Sequence, residues 1–413
     1  MENSPITYGP ELERSYITSG LDYYKPTMSQ LAHEIEPDAE VTFTLKNRGE
    51  QRLVEYIEPE QLQARLDTIQ GRGFNQTELD YMASLHDSQG VRVFADSFLQ
   101  HIADTPLPEA TVTIEDNDIA VHTTGEWSMA TYWETVVMSE VNELYFESYV
   151  TKNGLDIFEV YDEGDRRLSE KIEILQQNPD IKIVDFGTRR HFSHRWQRHV
   201  TERLVNEYPD NMVGTSNVAL ANALDIKPIG TFAHEMPMVY AGLADSRGQD
   251  IRASHHQFLE DWHDRYGEDL STVLTDTFTT NFFFSDFTSE QAAEWRALRH
   301  DSGDPIEFGE RALAFYEQHG IDPTTKTIVF SDGLNIEEIV KLHNHFKDRV
   351  GVIFGWGTTL TNDLGIPPLN IVMKATEVDG TPTVKLSDNP GKHTGPAGKI
   401  ALYQHIFQEE ITA

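Results

Sequence analysis

From about residue 180 the chain repeats one local rhythm: a short apolar run ends in small or polar residues, and a helical pattern follows. Ile181–Val184 runs into Asp185-Phe186-Gly187, and Met212-Val213 into Gly214-Thr215-Ser216-Asn217. Pro228-Ile229 leads to Gly230-Thr231-Phe232-Ala233-His234-Glu235, Val273-Leu274 to Thr275-Asp276, and Ala297-Leu298 to Arg299-His300-Asp301-Ser302-Gly303-Asp304. Ile328-Val329-Phe330 ends at Ser331-Asp332-Gly333, and Val352-Ile353-Phe354 at Gly355-Trp356-Gly357-Thr358-Thr359. Helices fit between them at 202–208, 218–224, 254–266, 307–319 and 336–346. Parallel strands need such crossovers, with chemistry at the C-terminal ends of the strands. About seven repeats without a dinucleotide-type glycine fingerprint favour an irregular TIM-like α/β barrel over a doubly wound sheet.

Residues up to about 130 read differently, as mixed α and β. Val41–Leu45 predicts a strand, and Pro59–Leu66 a helix that starts at its proline. Ala110–Ile114 alternates like a half-buried strand, with Ala110, Val112 and Ile114 on the apolar face. A helix rich in apolar and acidic residues is expected near 133–149.

Charge narrows the function. The chain has 68 acidic against 33 basic residues, a formal net charge of −35. Yet Asp185–His199 holds four Arg, three His and a single Asp. A basic island in so acidic a chain, behind an apolar run, is a candidate anion pocket. The remaining acidity reads as a solvated surface, suited to high salt, and argues against duplex nucleic acid as a partner. With no Cys, disulfides and thiolate chemistry are excluded. Met1–Pro5 lacks a targeting pattern, and no segment approaches the ~20 apolar residues that span a bilayer. A soluble cytoplasmic protein without a membrane partner is expected.

Taken together, the strand-end peptides closely resemble nicotinate phosphoribosyltransferases of bacterial type. The resemblance rests on Asp185–Arg190 with Phe192-Ser193, Gly214–Asn217, Gly230-Thr231-x-Ala233-His234-Glu235 and Arg299–Pro305. Phe330-Ser331-Asp332, Phe354-Gly355-x-Gly357-Thr358, Tyr23-Tyr24-Lys25 and Lys385–Lys392 extend it to about residues 20–395. Departures are Ser19-Gly20-Leu21-Asp22 ahead of the Tyr-Lys pair, Met236 in place of Trp, and His191 in place of a third Arg. The resemblance implies a type II phosphoribosyltransferase with a second α+β domain built from both chain ends: residues 1–140, completed by about 370–413, around a barrel at 141–369. It also implies nicotinate, phosphoribosyl pyrophosphate (PRPP) and ATP as substrates, Mg2+ as cofactor, a phosphorylated histidine, and homodimers with shared active sites.

Roles carry over residue by residue, each beside a plainer reading. Arg189 and Arg190 face the substrate phosphates and the nicotinate carboxylate, with Phe186 stacked on the pyridine ring. A surface basic strip and a core phenylalanine are the plain alternative. His194, Arg195, Arg198 and His199 read as the solvated start of the next helix. Gly355, Gly357 and Thr358, with Asp332 and Gly333, form the phosphate side of the barrel mouth, where an ordinary turn would also fit. Arg299 and Asp301 reach the ribose and its phosphates, and Asp301 is a candidate magnesium ligand; Asp304 also suits a helix cap. His234 is the candidate phosphohistidine, with Glu235 beside it as a catalytic candidate and the acceptor that orients it left open. Tyr24 covers the other face of the pyridine from a partner subunit, with a packed core tyrosine as the alternative. Lys25 is a candidate phosphate contact. Lys385 and Lys392 match but are read as solvent-exposed. Thr215 and Ser216 belong to the base site. Nicotinamide-using relatives carry Asp at the position of Ser216, and a carboxylate there would repel nicotinate by roughly 4 kcal/mol at ~4 Å and an effective dielectric of ~20.

Two other classes compete. A metallohydrolase would draw on His191, His194, His255, His256 and acids such as Asp301, but no open three-ligand set stands out and His191-x-x-His194 lacks helical i, i+4 spacing. A non-catalytic barrel would not need acids, hydroxyls and cations at successive strand ends.

Overall fold

The computed structural model describes residues 17–408. The extreme termini, including Met1–Pro5, lie outside the described residues. Strands β1 (Glu40–Asn47), β2 (Ala110–Glu115) and β3 (Asp118–Glu126) come first. Next are β4 (Lys182–Asp185), β5 (Met212–Thr215), β6 (Thr272–Leu274), β7 (Ala297–His300), β8 (Thr327–Phe330) and β9 (Gly351–Trp356). Strands β10 (Ile371–Val378) and β11 (Thr381–Pro382) end the series.

The middle group forms a six-stranded sheet in the order β5-β4-β9-β8-β7-β6, with every pairing parallel. Its strands are three to six residues long with buried apolar centres, as strands covered on both faces require. The gap between β5 and β6 is spanned by irregular chain. Thr215 bridges Pro228 in parallel, and the Thr231 hydroxyl donates to the Thr272 carbonyl at 2.9 Å. This is the irregular α/β barrel that the sequence predicts, with six regular strands and the Pro228 segment standing where a seventh was expected.

A five-stranded antiparallel sheet, β11-β10-β1-β3-β2, takes three strands from the start of the chain and two from its end. The β2–β3 hairpin turns on two residues, Asp116 and Asn117, both in the left-handed region (φ 50° and 60°) that such tight turns demand. The expected alternation of β2 fades toward that turn: Ala110 is buried, but Ile114 is 51% exposed on this edge strand.

Helix boundaries follow local capping. The helix expected at 202–208 begins at His194, because Ser193 Oγ accepts from the Trp196 amide at 3.1 Å. Its first turn is not solvated: His194 and Trp196 are buried there. Asp304 is a cap, accepting from the Ile306 and Glu307 amides. The helix Ile157–Gln177 is one that the sequence reading misses. Its buried stripe of Val160, Tyr161, Gly164, Leu168, Ile172 and Leu175 is diluted by charged residues.

Three helices, Tyr24–Ile35, Trp133–Lys152 and Glu235–Ser246, meet at one buried ammonium. Lys25 Nζ lies 2.6 Å from Glu134 Oε2 and 2.6 Å from Glu235 Oε2, and donates to Thr131 Oγ1 at 3.2 Å. Trp127 Nε1 and Thr131 Oγ1 donate to Glu235, and none of these five residues is more than 3% exposed. Burial alone would lower the Lys25 pKa, but the two carboxylates reverse that and raise it. Lys25 is therefore a structural cation and not the phosphate contact expected. Lys25→Met leaves the buried Glu235 carboxylate without its cation, so equilibrium unfolding in urea is expected to show a loss of about 3–5 kcal/mol.

Candidate active site

The C-terminal ends of β4, β7, β8 and β9 open into a cavity of about 520 Å³, roofed by β10 and the following segment. Phe186, Arg189, Arg190, His234, Arg299, Asp301, Asp332, Gly333, Gly355, Gly357 and Thr358 all line it. The structure thus brings together, from five separate peptides, most of the residues singled out in the sequence. Seven cations face this space: Arg48, Arg189, Arg190, Arg299, Lys374, Lys385 and Lys392. Against them stand Glu134, Asp301 and Asp332.

The turn after β4 is fixed by Asp185. Its carboxylate accepts from the Gly187 amide (2.7 Å), Thr215 Oγ1 (2.8 Å), Gln197 Nε2 (2.9 Å) and Thr201 Oγ1 (3.2 Å). That turn presents Phe186 half-exposed at the cavity wall, with the Arg299 guanidinium 5.5 Å from its ring centroid. Gly355 has no side chain for a steric reason: a Cβ there would lie 2.3 Å from the Phe186 ring.

Six of these cations are held by a carboxylate or a carbonyl. Arg189 donates to the Tyr24 hydroxyl and lies 3.4 Å from Glu134 Oε1 and 3.9 Å from Asp22 Oδ2. Lys374 Nζ is 3.1 Å from the same Glu134 oxygen. Burial would raise the Glu134 pKa, but Lys25, Lys374 and Arg189 hold it well below the usual carboxylate range. Burial lowers Lys374 to about 8, and burial with the neighbouring Arg189 lowers Arg190 to about 10. Arg190 donates to the Ile371 carbonyl at 2.9 Å.

His234 immediately precedes the helix Glu235–Ser246. Its Nδ1 is 2.9 Å from Thr277 Oγ1. Its Nε2 is 3.0 Å from Asp301 Oδ2, 2.8 Å from Lys385 Nζ and 3.7 Å from Asp276 Oδ1. The orienting groups are therefore Thr277, Asp301 and Lys385. Burial, with Lys385 beside it, lowers His234 to about 4, so the imidazole is neutral at pH 7. Asp301 is driven the other way: burial would raise it, but Arg299 and His234 hold it well below its ordinary value.

Four expected site residues lie elsewhere. Glu235 points away from the cavity into the Lys25 cluster. Thr215 stands behind the wall, bonded to Asp185. Ser216, 2% exposed, donates to Asp22 Oδ1 at 2.5 Å. A carboxylate therefore reaches this position after all, from residue 22, and Ser216 alone does not decide the choice of base. Tyr24, 5% exposed, lies behind Arg189 of its own chain, its hydroxyl accepting from that guanidinium. Arg48, Glu134, Asp276, Thr277 and Lys374 were not foreseen. Lys385 and Lys392 had a sequence signal but are drawn inward, Lys392 by Asp332 at 2.8 Å.

A polyanion-binding α/β-barrel enzyme is the class that this fold and cavity define. Residues 181–411 match the nicotinate phosphoribosyltransferase (NAPRTase) family, and residues 21–142 match the NAPRTase N-terminal domain. The chain resembles the solved nicotinate phosphoribosyltransferase of Vibrio cholerae at 31% identity and a TM-score of 0.85, over 99% of this chain and 96% of that one. The Porphyromonas gingivalis enzyme aligns at 29% identity and a TM-score of 0.85, over 95% and 99%. A putative nicotinate phosphoribosyltransferase of Saccharomyces cerevisiae aligns at 25% and 0.79, over 94% and 97%. The chain belongs to the nicotinate phosphoribosyltransferase family. Among the described residues, no helix is long and apolar enough to cross a membrane.

The depressed His234 pKa has a thermodynamic sign. Unfolded imidazole binds a proton near pH 6.5, whereas the folded one waits until about 4. Its contribution is present above 6.5 and is lost as pH falls toward 4, by about 3 kcal/mol. His234→Asn is expected to shrink the acid loss of stability by that amount, read from urea midpoints at pH 7 and pH 4.5.

Proposed function

We propose that the chain joins nicotinate to PRPP, giving nicotinate mononucleotide and pyrophosphate, and couples this to ATP hydrolysis through phosphorylated His234, in cytoplasmic NAD salvage. The observation that carries this reading is that a neutral imidazole, clamped at both nitrogens, opens on the same cavity as the arginine pair. The pyridine nitrogen of nicotinate forms a bond to C1′ of PRPP as the C1′–oxygen bond breaks, and pyrophosphate leaves with the electron pair. Arg189 and Arg190 hold anionic groups, Phe186 offers a face to the pyridine, and the Gly355–Thr358 turn suits a 5′-phosphate.

In the coupled half-reaction a ring nitrogen of His234 attacks the γ-phosphorus of ATP, and ADP leaves with the electrons of the broken P–O bond. Water later cleaves the N–P bond and releases phosphate. Phosphorylation adds negative charge, which is compatible with PRPP binding only if cations meet the phosphoryl group, and Lys385 is already at hand. The carboxylates of Asp301 and Asp332, at neighbouring strand ends, fit magnesium, which takes one or two carboxylates together with substrate phosphates. Bound there, Mg2+ would neutralise the charge of the departing pyrophosphate. A homodimer belongs to the same proposal, although Arg189 receives Tyr24 within one chain.

Nicotinate plus PRPP, with and without ATP, is expected to give mononucleotide, with ATP lowering the KM for PRPP. The protein is expected to take up label from γ-labelled ATP, and His234→Asn to abolish uptake; a His234→Asn protein that still takes up label sinks the phosphohistidine. Arg189→Ala is expected to raise the KM for nicotinate by about 100-fold, equivalent to about 3 kcal/mol, since one partner of a buried charge pair is lost.

A further inference from the structure

The pair His191-x-x-His194, just beyond the two cavity arginines, takes no part in the site above. His191 is 0% and His194 5% exposed. Facing them from one side of the helix Trp133–Lys152 are Ser139, Glu140 and Glu143, all buried. One nitrogen of each imidazole and one oxygen of Glu143 lie within 4.8 Å of one another. Both Nε2 atoms are 3.3 Å from the same Ser139 Oγ, and His194 Nε2 is 3.6 Å from Glu140 Oε1.

These separations are informative. A hydroxyl–imidazole hydrogen bond is ordinarily about 2.7–3.0 Å, and one hydroxyl proton serves only one nitrogen. Two donors sharing a tetrahedral zinc-class ion at ~2.0–2.1 Å bond lengths are about 3.3 Å apart. The rings cross at 61° with centroids 4.5 Å apart, so their nitrogen lone pairs can converge.

The tautomer is set from outside. Gln197 Nε2 donates to Asp185 Oδ2 at 2.9 Å, which turns Gln197 Oε1 toward His191 Nδ1, also at 2.9 Å. His191 Nδ1 must then carry the proton, leaving the Nε2 lone pair aimed at Ser139. An outer hydrogen bond that fixes ring orientation in this way is usual for metal-ligating histidines.

We propose that His191 Nε2, His194 Nε2 and the Glu143 carboxylate bind a structural zinc-class divalent cation, with Ser139 Oγ at the fourth position. The site is distinct from the magnesium carboxylates of the cavity. Its donors join the helix Trp133–Lys152 to the stretch that carries Arg189 and Arg190. Asn142 Nδ2 already ties the same helix to the Arg189 carbonyl at 3.2 Å. Glu143 and His194 also line a second cavity, of about 540 Å³, through which an ion can reach them. A cation here would hold the arginine pair in place without touching substrate.

The test uses the full chain, stripped by EDTA, freed of chelator and titrated with Zn2+ or Co2+ by calorimetry and visible absorption. Binding of about one equivalent is expected, with a cobalt d–d band and a raised Tm. His191→Asn and His194→Asn are each expected to weaken it by about tenfold or more. In a magnesium-containing assay, the stripped protein is expected to show a severalfold higher KM for the anionic substrates with kcat nearly unchanged. Should the variants not fold, nitrogen NMR of wild-type imidazoles gives the same answer: zinc must shift His191 and His194. Absence of stoichiometric binding, unchanged binding in the double variant, or shifts confined to His255 and His256 would overturn the proposal.

Discussion

A single ammonium, Lys25, sits between two buried carboxylates that belong to different helices, and the rest of the architecture depends on that contact. Removing two acids and a lysine from water is costly, and only close mutual pairing offsets it. The arrangement fixes three helices in register. It also reaches the cavity, because the second oxygen of Glu134 faces Lys374 and Arg189. Core and site share one carboxylate. His234 and Glu235 express the same coupling across one peptide bond: the imidazole turns to the cavity, and its neighbour turns to Lys25.

A chain with a net charge of −35 can still hold a polyanion because the relevant field is local. Apart from Arg48, the cavity cations are half-buried or buried, where interactions are screened less than at the surface. Most are positioned by partners already present: Tyr24 and Asp22 for Arg189, Ile371 for Arg190, Asp332 for Lys392. Such preorganisation leaves little side-chain freedom to be lost when a charged ligand arrives.

The barrel was legible in the sequence because its strands are buried on both faces, so each appears as an uninterrupted apolar run with polar residues where it ends. Phe186, Arg189, His234, Asp301 and the Gly355–Thr358 turn were legible for the same reason: they are those endings. What failed were inferences from adjacency and from residue type. Glu235 is next to His234 in sequence but faces the opposite way. Ser216 lacks a carboxylate of its own, yet Asp22 brings one from nearly two hundred positions earlier. Lys385 was set aside because lysines are usually solvated, whereas a buried acid–imidazole cluster draws this one in. His194 read as a solvated helix start because the acids that surround it come from another helix. Pairings between distant segments leave no periodic trace.

Strand β10 lies against β1 and, with the chain after it, supplies Lys374, Lys385 and Lys392 to the cavity roof. During synthesis, Arg189 and His234 leave the ribosome well before these lysines do. A nascent chain therefore carries the floor of the pocket without its lid, and the antiparallel sheet waits with β1 unpaired on one side. Translation must pass Lys392 before the binding field is complete, and a product terminated ahead of β10 would lack three of its seven cations.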